Sequence, residues 1–178
     1  PGGEYLEASE NRTHHDSPDD CKKCPGGTYS FVGAETCTVC LGGKYLEASD
    51  NRTRHDSPDD CKKCPLGKYL EDRGTQASWH DSVTDCNNCS AGKASSVLGL
   101  YVECGCLRCK PGEYMSFSGQ ISCLKCPVGK YQDSLGEKHC KVCADATENG
   151  STSCSISVAP APGKPVVARG QTAKEIVV

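Results

Sequence analysis

The sequence predicts a small disulfide-rich fold: an elongated tandem array of short irregular β-hairpin modules, with little helix and no single large core. Three observations predict it. The chain of 178 residues holds 16 Cys but only two Phe, one Trp and one Met, too few large apolar side chains to build one core of that size. Its cysteines recur as C-x-x-C clips that run into a G-x-Y turn: Cys21-Lys-Lys-Cys24, Cys61-Lys-Lys-Cys64 and Cys123-Leu-Lys-Cys126. Residues 2–25 and 42–65 are near copies at an offset of 40, differing only at Glu4/Lys44, Glu10/Asp50 and His14/Arg54.

Aligned on the Cys before each turn, the chain divides into a partial unit 1–23 and units 24–39, 40–63 (the near copy of the first), 64–88, 89–108, 109–125 and 126–142. A degenerate capping unit 143–154 and a Pro/Val-rich extended tail 155–178 follow. Gly stands three positions past each opening Cys, from Gly27 to Gly129, and again at Gly3 of the first unit. So fixed a glycine implies a turn that needs positive φ. Two residues on stands Tyr5, Tyr29, Tyr45, Tyr69, Tyr114 or Tyr131, with Ala94 the exception. Tyr opens an extended segment and can lay its ring over a neighbouring disulfide. A second turn residue lies mid-unit, as Gly33, Gly74, Gly99, Gly119 or Gly136, with Asn11 and Asn51 near that place in the first and third units. Each unit therefore reads as a short hairpin, stabilised by stacking on its neighbours and by a disulfide-closed loop worth roughly 3 kcal/mol.

Nine per cent cysteine (16 of 178 residues) is a disulfide scaffold's composition and places the protein in an oxidising, extracytoplasmic compartment. Formal charge is −3 with acids and bases interspersed, which is not the footprint of a nucleic-acid binder. No apolar run is long enough to span a bilayer. The start, Pro1-Gly2-Gly3-Glu4-Tyr5, is the middle of a unit whose opening Cys would precede residue 1, so a processed or partial piece of a longer secreted chain is expected. The tail reads as a polyproline-like linker or as a Val-rich strand that docks on a neighbouring molecule. The docked strand is the expectation.

Sequence does not fix disulfide connectivity, but the repeat narrows it. Pairing within each unit gives Cys24–Cys37, Cys40–Cys61, Cys64–Cys86, Cys89–Cys104, Cys109–Cys123, Cys126–Cys140 and Cys143–Cys154. Cys21 and Cys106 are left as unpaired or intermolecular candidates, and Cys106 is an alternative to Cys104 as the partner of Cys89. Zinc ribbons also use pairs of C-x-x-C. Tandem repetition, the turn after nearly every clip and the glycan acceptors favour disulfides over zinc, so no cofactor is expected. Redox catalysis needs a clip at a helix N-terminus, whereas Pro25, Pro65 and Pro127 directly follow three of these.

The pattern C-P-x-G-x-Y-x(n)-C-x-x-C resembles the ephrin-receptor-like cysteine-rich repeat and is similar to the single-disulfide submodule of tumour-necrosis-factor-receptor ectodomains. The likeness covers residues 1–143; the last unit departs from it, with Ala146 and Glu148 where Gly and Tyr belong. The resemblance implies an elongated ladder with within-unit disulfides, as found in receptors, adhesion proteins and very large surface proteins.

Asn11-Arg-Thr13, Asn51-Arg-Thr53 and Asn149-Gly-Ser151 are acceptors for N-glycans. Asp16-Ser-Pro-Asp19-Asp20 and Asp56-Ser-Pro-Asp59-Asp60 lack the spacing of calcium loops and read as solvated turn acids. His14, His15, His55, His80 and His139 read as surface residues, and Phe31 and Trp79 as covers over disulfides. No nucleophile–base or acid–base constellation stands out, so an enzyme is not expected. The expected function is a secreted, N-glycosylated structural repeat protein of an extracellular fibre or cell-surface appendage, whose partners are copies of itself or neighbouring segments. The alternative is a ligand-binding ectodomain of a receptor or adhesion protein, with a protein ligand along the ladder.

Overall fold

The computed structural model describes residues 2–6 and 17–155. Asn11, His14, His15 and the tail beyond residue 155 lie outside the described residues. Seven two-stranded antiparallel hairpins follow one another along the chain. Strand β1 (Glu4–Tyr5) pairs with β2 (Lys22–Lys23), β3 (Thr28–Tyr29) with β4 (Thr38–Val39), and β5 (Lys44–Tyr45) with β6 (Lys62–Lys63). Then β7 (Lys68–Tyr69) pairs with β8 (Asn87–Asn88), β9 (Lys93–Ala94) with β10 (Leu107–Arg108), β11 (Glu113–Tyr114) with β12 (Leu124–Lys125), and β13 (Lys130–Tyr131) with β14 (Lys141–Val142). Among the described residues there is no large core. Each hairpin joins the two residues after a turn glycine to the two residues inside the next C-x-x-C, so every clip after the first is a strand flanked by cysteines of two different disulfides.

The disulfides are Cys24–Cys37, Cys40–Cys61, Cys64–Cys86, Cys89–Cys106, Cys109–Cys123, Cys126–Cys140 and Cys143–Cys154. The fourth corrects the expected Cys89–Cys104 pair. Cys106 is the residue immediately before β10, the place Cys61 holds before β6 and Cys86 before β8. Cys104 lies two residues earlier, inside the 3-10 turn Glu103–Gly105, and is exposed with a free thiol. The unpaired cysteines among the described residues are therefore Cys21 and Cys104, not Cys21 and Cys106.

Main-chain hydrogen bonds cross every boundary in one repeating scheme. The turn glycine donates to the residue after the tyrosine position of the next unit: Gly27 N–H to Leu46 at 2.6 Å, Gly43 to Leu70 at 2.9 Å, Gly67 to Ser95 at 2.8 Å and Gly92 to Met115 at 2.8 Å. That acceptor residue in turn donates onward, Leu46 to His80 at 2.7 Å and Leu70 to Leu100 at 3.0 Å. A unit is thereby tied to the following one and brought against the one after that. Gly43 shows why the turn must be glycine. Its φ is +77°, and a Cβ there would collide with the carbonyl oxygen of Gly99, two units on. The degenerate last unit still receives these bonds, from Gly129 to Ala146 at 2.8 Å and from Gln132 to Ser151 at 3.0 Å.

Packing follows the same step. Tyr29 packs on the buried cluster of Cys40, Leu46 and Cys61, Tyr45 on Cys64, Leu70 and Cys86, and Tyr69 on Cys89, Leu100 and Cys106. Each ring thus covers the disulfide of the next unit, with one leucine completing the contact. Phe31 and Trp79 do not share that role: they are 58% and 52% exposed, Phe31 standing edge-on to Tyr29 with centroids 5.8 Å apart. The tyrosines already occupy the disulfide faces, and these two residues sit in the mid-unit loops.

Candidate functional site

The histidines depart most from expectation. His55 and His80 are 1% and 0% exposed, buried in the seam between units rather than lying on the surface. His55 Nδ1 lies 2.8 Å from the carbonyl of Thr28 and His80 Nδ1 2.7 Å from that of Lys44. Thr28 and Lys44 are the residues just after the turn glycine of the preceding unit, so each ring satisfies an outward carbonyl of the strand behind it. A carbonyl only accepts, so Nδ1 carries the proton in both rings. Counting back from the closing cysteine reveals the pattern: His55, His80 and Leu100 each stand six residues before Cys61, Cys86 and Cys106. Counting forward from the opening cysteine conceals it, because the loops differ in length.

The second ring nitrogen distinguishes the two sites. His80 Nε2 lies 2.8 Å from Asp72 Oδ2, while His55 Nε2 is buried without a hydrogen-bond partner among the described residues. Burial alone would raise the Asp72 pKa, but hydrogen bonds from the Thr75 hydroxyl, His80 and the Thr75 and Gln76 backbone outweigh it and hold the carboxyl well below the ordinary range. The seam thus sets the Asp72 carboxylate directly against the buried His80 ring. Around it lies a cleft of about 500 Å³ lined by Leu70, Glu71, Asp72, Trp79, Thr84, Asp85 and Asn87.

Of the acids weighed for calcium, Asp20 and Asp60 have structural work. Asp20 and Asp60 accept the N–H of Ser17 at 3.0 Å and Ser57 at 2.9 Å, while the two serine hydroxyls accept from Asp19 and Asp59. These reciprocal bonds form capping boxes on the 3-10 turns that precede the closing cysteines. Ser82 and Asp85 make a third. Among the described residues no group of three or more His, Cys, Asp and Glu is placed to hold a metal ion. His139 remains exposed.

Asn51 and Asn149 are exposed on mid-unit loops. Asn51 Oδ1 accepts from the Thr53 N–H at 3.2 Å and the Thr53 hydroxyl at 2.9 Å. Asn149 Oδ1 accepts from the Val128 N–H at 3.1 Å. Both amides use their oxygen, and among the described residues the nitrogen, the atom that would carry a glycan, makes no bond.

No helix among the described residues is long and apolar enough to cross a membrane. Exposed apolar side chains are concentrated late in the array, including Leu98, Tyr101, Leu107, Phe117, Ile121 and Leu124. Residues 99–136 and 112–158 match the family described as Tyrosine-protein kinase ephrin type A/B receptor-like. No curated protein matches the chain. The matched family's cysteine-rich repeat is non-catalytic in itself, and a run of disulfides in that setting points to an extracellular, receptor-type module. Residues 99–158 are similar to that family's cysteine-rich repeats, and the hairpin, disulfide and turn-glycine geometry there is that of the units before them.

Proposed function

We propose that the chain is an extracellular structural rod, part of a fibre or cell-surface appendage, N-glycosylated at Asn51 and Asn149. The observation that carries this reading is the unbroken ladder of main-chain bonds from each turn glycine into the following unit. A protein built only to present one binding loop has no need of such a bond at every boundary. A rod that must hold its length does. Glycans on the mid-unit loops would shield exposed backbone without entering the ladder. Electron microscopy of native material tests the proposal: filaments with a repeat commensurate with the unit support it, and dispersed monomers that never associate overturn it. Treatment with a peptide-N-glycosidase should convert Asn51 and Asn149 to Asp, read by peptide mass.

A second reading is favoured by the family match over residues 99–158 and by the exposed apolar side chains in the same stretch. In it the late units form the ectodomain of a receptor or adhesion protein and take a protein ligand. Its mark would be saturable, one-to-one capture of a defined protein by the soluble chain.

A further inference from the structure

We propose that the face of the hairpins opposite the tyrosines binds a linear sulfated polysaccharide. Side chains alternate faces along a strand, and directly paired residues share a face. The register therefore puts Tyr45 with Lys62 on one face of its hairpin and Lys44 with Lys63 on the other. In the hairpin of β9 and β10 the corresponding pair is Lys93 with Arg108. Like charges directly opposite destabilise a sheet, and this chain carries two such pairs on one face although its net charge is −3.

The remaining positions of that face between β5 and β12 are Lys68 with Asn88 and Glu113 with Lys125. Six cations thus stand there with one acid. Some are engaged: Lys93 holds Glu103 at 2.8 Å, lowering that carboxyl's pKa, and Lys68 Nζ donates to the Cys86 carbonyl at 3.3 Å. Lys63, Arg108 and Lys125 are exposed, and among the described residues no hydrogen bond or ion pair occupies them. On the tyrosine face, by contrast, Lys62 pairs with Glu47 at 2.7 Å and Lys141 with Asp133 at 2.6 Å.

The free cations are also held in a row. The stem of Lys63 lies against Gly99, that of Arg108 against Gly136 and that of Lys125 against Gly150, each two units further on. Asn88 takes the same place against Gly119. The same seat in successive units gives a one-dimensional series of positive charge with no enclosing pocket. Its complement is a chain that carries anions at regular intervals, and in an extracellular setting that is a sulfated polysaccharide.

A heparin oligosaccharide of defined length, titrated calorimetrically against the whole chain at about 0.15 M salt, tests this. The wild type should bind. The triple variant Lys63→Gln/Arg108→Gln/Lys125→Gln should bind at least about tenfold more weakly, with the log–log salt slope smaller by about two to three. The triple Lys22→Gln/Lys62→Gln/Lys141→Gln, with the same charge change on the tyrosine face, should stay within about twofold of wild type. Replacing Lys63 and Lys125 by Arg should keep binding, and a non-reducing peptide map showing the same seven disulfides keeps misfolding from imitating the result. Absence of binding, equal loss in both triples, or equally tight binding of a DNA duplex of the same length would overturn the proposal. Imaging of filaments is a separate measurement, so a failure here leaves the structural-rod reading to its own test.

Discussion

His80 bridges Lys44 and Asp72. Its Nδ1 lies 2.7 Å from the Lys44 carbonyl and its Nε2 2.8 Å from Asp72 Oδ2, with the ring wholly buried. One side chain thereby fixes the loop of its own unit and the strand of the unit before.

Asp72→Asn should lower stability at neutral pH by about 3 kcal/mol, the cost of weakening charged hydrogen bonds at a buried partner. The sign of the pH dependence follows from the depressed Asp72 pKa. Its contribution is fully present above the unfolded carboxylate value of about 4 and is lost as pH falls through the lower folded value. Thermal unfolding of both proteins between about pH 5 and pH 2, where histidine in the unfolded chain is protonated, should show the gap between them begin to narrow near pH 4 and keep closing below it. A gap that widens on acidification would refute the pairing.

Cys104→Ser should leave all seven disulfides and the melting temperature unchanged, since Cys104 is exposed and unpaired. Cys106→Ser removes the Cys89–Cys106 bond and should cost about 2–5 kcal/mol. Non-reducing peptide mapping checks both. A stable Cys89–Cys104 bond in the second variant, formed without loss of stability, would show that the position before the strand is not what selects the partner.

Gly43→Ala should be far more damaging than Gly33→Ala. Both glycines have positive φ, 77° and 79°, but a Cβ on Gly33 meets nothing within 4 Å whereas one on Gly43 strikes the Gly99 backbone. The first substitution adds a clash to the strain and should cost more than about 3 kcal/mol; the second carries only the strain of about 1–2 kcal/mol. Denaturant unfolding separates them, and hydrogen exchange should show the Gly43 variant losing protection at Leu70 and Gly99, whose N–H groups donate across that seam.

Tyr45→Ala should weaken the seam over Cys64–Cys86 by about 2 kcal/mol, and Tyr45→Phe by much less, because the ring's packing on Leu70 and the disulfide is the contact that matters. The relevant measurement is susceptibility of Cys64–Cys86 to reduction, which should rise in the alanine variant only.

The hairpins could be read from the chain because Gly43, Tyr45 and the Cys61–Cys64 clip stand at fixed distances that one short hairpin requires. The seam could not. It depends on residues such as His80 and Leu100, whose place is set by the closing cysteine behind them, across loops of unequal length. The pairing of Cys89 was equally hidden, since Cys104 and Cys106 lie close together and only the strand that follows Cys106 distinguishes them. Asp72 carries no motif at all; its role exists only once the loop brings it back beneath His80.

The contact of Gly43 with Gly99, two units away, bears on how such a chain can lengthen. Copying a single unit would present every neighbour with a new second-nearest surface. The near-identical segments 2–25 and 42–65 are separated by 40 residues, the combined length of two units. A doublet copied whole brings a matched internal junction with it, so growth in pairs leaves fewer untested joints for selection to repair.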